Sequence, residues 1–101
     1  MRLVVATLKP SQVESVRQAL AAVSVTRMTV CDAQGWQAAG GGLRQQAILE
    51  IAVNDDFLEP TVRAITAAHE AGGDSATGRL HALPIGAAVQ LYREVRGPEA
   101  V

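Results

Sequence analysis

Leu3-Val4-Val5-Ala6-Thr7-Leu8-Lys9-Pro10-Ser11-Gln12-Val13-Glu14-Ser15-Val16-Arg17-Gln18-Ala19-Leu20 changes its period half-way along. The first six residues are an apolar, partly β-branched run, which reads as a buried strand closed by Lys9-Pro10. Ser11 and Glu14 then have the spacing of a capping box. Val13, Val16, Leu20 and Val23 follow at steps of three and four, the apolar stripe of an amphipathic helix. A strand feeding a helix within twenty residues is the start of a βαβ unit, and the rest of the chain is read outward from it.

Val25 to Cys31 is rich in β-branched residues and predicts the second strand. From about residue 32 to 44 no period is visible. Gly40-Gly41-Gly42 disfavours helix and strand alike, because ordering three glycines costs much entropy. This segment is expected to be a mobile loop. Ala47, Leu49, Ile51 and Val53 alternate with their neighbours as a third strand does. Asn54-Asp55-Asp56 is a turn, and Asp56 with Glu59 repeats the capping pattern, with Pro60 in the first helical turn. Leu58, Val62, Ile65 and His69 mark the inner face of a second helix that Gly72-Gly73 ends. Arg79 to Leu83 predicts a fourth strand and Ala87 to Tyr92 a short fifth. Gly97-Pro98 begins a frayed tail.

The order β-α-β-β-α-β plus a small C-terminal strand predicts an α+β, ferredoxin-like fold: one antiparallel sheet with two helices on one face. A faint internal echo agrees with two similar halves. Val16-Arg17-Gln18-Ala19-Leu20-Ala21-Ala22 resembles Val62-Arg63-Ala64-Ile65-Thr66-Ala67-Ala68. Residues 1–97 form one domain in this reading, and 98–101 the tail. The second sheet face has no helix to cover it, so self-association is expected.

At 101 residues, 49% hydrophobic and 3% aromatic, the chain can build one aliphatic core. A net charge of −1 with no Lys/Arg run gives no footprint for nucleic acid. No apolar stretch approaches the roughly 20 residues of a membrane span, and the first apolar run is too short for a signal peptide. One cysteine, Cys31, makes no internal disulfide and fits a reducing, cytoplasmic compartment.

Motifs for catalysis are missing: no Gly-x-Ser-x-Gly, no His-Glu-x-x-His, no Cys-x-x-Cys and no full P-loop. The expectation is a regulatory binding module, not an enzyme. Cys31, His69 and His81 share no ligand spacing, and the reading assigns no metal. Trp36, the only tryptophan, sits in the Gly-flanked loop, either to anchor it or to meet a partner. Gly72-Gly73-Asp74-Ser75-Ala76-Thr77-Gly78-Arg79 is either a plain connector or an anion cradle. In the second case converging N–H groups and the Arg79 guanidinium would take a phosphate.

Leu8-Lys9-Pro10, Val16 to Leu20, Thr26-Arg27-Met28-Thr29-Val30 and Gly35-Trp36 resemble the first third of PII signal-transduction proteins, the nitrogen regulatory P-II superfamily. The resemblance resumes at Glu50-Ile51-Ala52-Val53-Asn54-Asp55-Asp56 and reaches Thr77-Gly78-Arg79. It implies a homotrimer that binds an adenine nucleotide (AMP, ADP or ATP) in the clefts between subunits. A T-loop would contact a regulated transporter or metabolic enzyme. By matching position, Thr29 and Gly35 would lie near the adenine, Glu50 near the ribose, and Thr77, Gly78 and Arg79 at the phosphates. Trp36 with Gly40, Gly41 and Gly42 would form the partner-contact loop.

The chain also departs from the family. Its T-loop is much shorter and lacks the modified tyrosine. Ala39 replaces the glutamine used with magnesium and 2-oxoglutarate, and Gln90 and Tyr92 replace two phosphate-binding arginines. The alternative is a CutA-like or other ferredoxin-fold metal-responsive module using His81 or Cys31.

Overall fold

A computed structural model describes residues 1–38, 42–73 and 78–101. Strand β1 (Arg2–Leu8) leads through a 3-10 turn (Pro10–Gln12) into helix α1 (Val13–Ala22). Strands β2 (Thr29–Gln37) and β3 (Gly42–Val53) form a long hairpin. Helix α2 (Asp55–Ala71) and strand β4 (Arg79–Pro84) complete the second half. The four strands make one antiparallel sheet in the order β2-β3-β1-β4. This is the ferredoxin-like α+β arrangement expected from the order of elements.

The core lies between one sheet face and the two helices. Val4, Ala6 and Leu8 from β1 meet Leu49, Ile51 and Val53 from β3, with Val16 and Leu20 of α1 and Ile65 of α2. Successive strand residues face opposite sides, so these three-residue sets commit one face of each strand to the core. Ala47 is buried with them, as its place in the alternating run requires.

Several local expectations are corrected. Neither predicted cap works as one. Ser11 falls inside the 3-10 turn, and α2 begins at Asp55 behind Asn54, with no side-chain cap at either helix start. Pro60 is therefore the sixth residue of α2, beyond its first turn. Thr61, not Val62, is fully buried beside Ile65. The second strand starts four residues later than expected. Ser24 adopts φ 65°, and the N–H of Val25 donates to Leu20 O at 2.9 Å, so these residues close α1 instead of extending a strand.

The expected loop over 32–44 is mostly ladder. Asp32 pairs with Ala47, and pairing continues to Gln37 with Gly42. This arm is polar and exposed, so hydrophobic alternation never marked it; backbone pairing to a neighbouring strand holds it. Ala39, Gly40 and Gly41 lie outside the described residues. Gly42 opens β3 with φ +111°, a backbone state suited to glycine.

The expected fifth strand shrinks to β5 (Val89–Gln90). It pairs with β6 (Val95–Arg96) in a hairpin apart from the main sheet. The tail is tied rather than frayed. Residues Gly97–Ala100 form a 3-10 turn, the N–H of Gly97 donates to Ala88 O, and Asn54 Nδ2 donates to Pro98 O at 2.9 Å. Among the described residues no helix is long and apolar enough to cross a membrane.

Candidate functional site

The register puts Thr29, Glu50 and Arg79, among the sequence-predicted residues, on the helix-free face of the sheet. Residues paired across antiparallel strands point to the same side. One row reads Thr29, Glu50, Val5, His81, and the next reads Cys31, Ile48, Thr7, Arg79. Thr29, Glu50 and Arg79 are exposed.

These residues do not converge into one enclosed pocket. Thr29 and Glu50 line a shallow cavity of about 360 Å³ with Leu3, Arg27 and Met28, flanked by the C-terminal Ala100 and Val101. Gly78 and Arg79 line a separate cavity of about 250 Å³ against Leu8, Ile65, Thr66, His69 and Glu70. Gly35 belongs to neither. It stands six residues beyond Thr29 on β2, roughly 20 Å along the strand, opposite Arg44. A Cβ on Gly35 would come 2.1 Å from Gln46 Oε1, so the amide of Gln46 occupies the space that glycine leaves. Thr77 lies outside the described residues.

Trp36 is not in a loop. It sits in β2 opposite Leu43, and both side chains are about two-thirds exposed, at 67% and 66%. The pair forms an apolar step near the end of the hairpin arm.

The structure adds two cations that the sequence reading passed over. Arg27 joins the Thr29–Glu50 cavity. Arg93 donates to Gln90 Oε1 from Nε at 3.1 Å and from Nη2 at 2.9 Å, and its guanidinium lies 5.5 Å from the Tyr92 ring centroid. A positive charge thus stands beside both Gln90 and Tyr92. Its signal in the sequence was only proximity, since Arg93 follows Tyr92 directly.

A metal site within one chain does not form from Cys31 and His81. They sit on β2 and β4, the two edges of the sheet, with β3 and β1 between them. At about 4.8 Å per strand, this is roughly 14 Å. Among the described residues no group of three His, Cys, Asp or Glu side chains is placed to hold a metal.

The family model "Nitrogen regulatory protein P-II" matches residues 1–95. The nitrogen regulatory protein GlnK1 of Methanosarcina mazei is 32% identical over an alignment covering 100% of this chain and 97% of that protein. The chain belongs to the nitrogen regulatory protein P-II family. This P-II protein is a small signal-transduction regulator, as its family is, and not an enzyme. Its alignment with GlnK1 runs over 114 positions, more than the 101 residues present, so the relative carries residues that this P-II protein lacks.

Proposed function

We propose that this P-II protein is a cytoplasmic homotrimer that binds AMP or ADP between subunits and thereby controls a transporter or metabolic enzyme. The observation that carries the reading is the division of the site. One chain holds a Thr29–Glu50 cavity and a separate Gly78–Arg79 cavity, both open to solvent. A nucleotide spanning a subunit boundary would meet the first on one chain and the second on its neighbour. Thr29 then serves the adenine, Glu50 the ribose, and Thr77, Gly78 and Arg79 the phosphates; Gly35, expected beside the adenine, stands too far along β2 to share it with Thr29 in this arrangement of the arm.

Phosphate discrimination is weak in this reading. Gln90 and Tyr92 carry no charge, and Arg93 spends two of its donors on Gln90. A lost charge-assisted hydrogen bond forfeits ~1.5–3 kcal/mol, or about one to two decades of affinity. AMP and ADP therefore bind at least as well as ATP, and with Ala39 in place of the family's glutamine, 2-oxoglutarate does not strengthen ATP binding. The ligand acts by favouring one arrangement of the hairpin arm over another. The arm presents Trp36, with Gly40, Gly41 and Gly42, to the regulated protein.

Isothermal titration of the three nucleotides, with and without magnesium and 2-oxoglutarate, tests this. Arg79→Ala is expected to remove most of the affinity. Tight ATP binding enhanced by 2-oxoglutarate would reverse the assignment of Ala39, Gln90 and Tyr92. Absence of binding by all three nucleotides would dispose of the nucleotide reading.

A further inference from the structure

The segment joining α2 to β4 begins and ends against two side chains that bond to each other. Gln12, in the 3-10 turn after β1, is 7% exposed. Its Oε1 accepts the N–H of Lys9 at 3.3 Å and lies 3.2 Å from His69 Nδ1. Its Nε2 donates to His69 O at 3.4 Å. The Lys9 N–H is a donor only, which fixes the amide orientation. Oε1 is then the acceptor for His69, so Nδ1 carries the hydrogen. His69 Nε2 is left as a buried nitrogen with no hydrogen-bond partner among the described residues.

Each end of the segment rests on one member of the pair. At Gly72, a Cβ would lie 2.8 Å from Gln12 Nε2. At Gly78, a Cβ would lie 2.5 Å from His69 Nε2 and 2.6 Å from Cε1. Both distances are shorter than a carbon can tolerate. Glycine at 72 and 78 is therefore what lets the backbone settle on these two side chains. Gly72 has φ −74°, so it is spatial room and not a left-handed backbone that glycine supplies there.

We propose that Gln12 and His69 are positioning residues for the phosphate end of the ligand site. Together they seat Gly72 against Gln12 and Gly78 against His69. Gly78 and Arg79 are thereby held ready before the ligand arrives. This role rests on the reading of Gly78 and Arg79 as phosphate-binding groups. Preorganisation of this kind strengthens binding by removing the cost of fixing the binding groups at the moment of contact. Without the ring of His69, Gly78 loses the wall it rests on. Without Gln12, the ring loses the bond that orients it and the tie to Lys9.

The test uses calorimetric affinities for ADP and for adenosine, which has no phosphate. His69→Ala and Gln12→Ala are each expected to weaken ADP about tenfold while adenosine stays within about twofold, the scale of one lost hydrogen bond. His69→Asn, whose amide can still donate to Gln12 Oε1, should recover part of the loss. Gly78→Ala should weaken ADP in the wild-type background, yet the double variant Gly78→Ala/His69→Ala should lose no more than His69→Ala by itself, because the clash is gone. Thermal melts identify any variant that fails to fold. If His69→Ala is one, Gln12→Ala and His69→Asn carry the same comparison. Equal losses for ADP and adenosine, or additive losses in the double variant, would overturn the positioning role alone. A wild type that binds adenosine and ADP equally, or binds neither, would overturn the phosphate reading itself, and the positioning role with it.

Discussion

Asp55 stands first in α2 and serves several positive groups at once. Its Oδ1 accepts from the Met1 ammonium at 2.8 Å, Arg2 Nε lies 3.7 Å away, and the helix N-terminus adds its own partial charge. The bond from the ammonium, reinforced by its charge and by Arg2, holds the carboxyl below its ordinary value. A lowered carboxyl value means the stabilisation is complete above the usual carboxylate range and is lost as pH falls through the folded value. Asp55→Asn should therefore lower the Tm at about pH 7, with the difference closing toward about pH 2. Thermal melts across that range check it, and a difference independent of pH would contradict it. Glu14 is likewise held low, chiefly by its hydrogen bond from Arg17, on the open face of α1. In the core, Leu49 of β3 is fully buried on the sheet face that the helices cover. Leu49→Ala should cost about 2–5 kcal/mol in denaturant unfolding, through lost burial and the cavity left behind.

At the level of elements, α2 carries a defect that its sequence announced but did not place. Pro60 cannot donate to the carbonyl of Asp56, and its ring crowds that turn. Reading Asp56 as the N-cap put Pro60 at the fourth helical position, in the first turn; with Asn54 as the N-cap it is the sixth residue, beyond that turn. Pro60→Ala should therefore stabilise the protein by about 2 kcal/mol, the helix gain less the entropy restored to the unfolded chain. A higher urea midpoint at unchanged slope would show it. The β2–β3 hairpin shows the opposite case. Its lower half, from Ala47 to Val53, was legible because one face is buried. Its upper half was not, because Trp36, Leu43 and Arg44 are exposed and backbone pairing sets their register.

For the whole molecule, the decisive asymmetry is between the sheet's two faces. One is sealed by α1 and α2. The other leaves Leu3, Val5 and Ile48 half-buried and Leu83 46% exposed, with the Thr29–Glu50 cavity on it and the Gly78–Arg79 cavity at the β4 edge, against α2. Association of three copies would cover this surface and join each Thr29–Glu50 cavity to a neighbour's Gly78–Arg79 cavity. Light scattering on a size-exclusion column is expected to give three times the chain mass of 10.6 kDa at micromolar concentration. A monomer there would remove the subunit boundary on which the proposed nucleotide site depends.

The sequence by itself determined the order of elements, the aliphatic core and the family. Each rests on local period or residue identity: the steps of three and four in α1, the alternation from Ala47 to Val53, and Lys9-Pro10 with Met28-Thr29-Val30. Tertiary structure alone decided which distant residues stand together. Register put Thr29 opposite Glu50 and separated Gly35 from both. Folding α2 back over β1 brought His69 against Gln12, 57 positions apart in the chain. A turn between short strands carried Arg93 onto Gln90. No sequence pattern announces such pairs, because each member satisfies only its own helix, strand or turn. Their contact is a product of the closed chain and its packing.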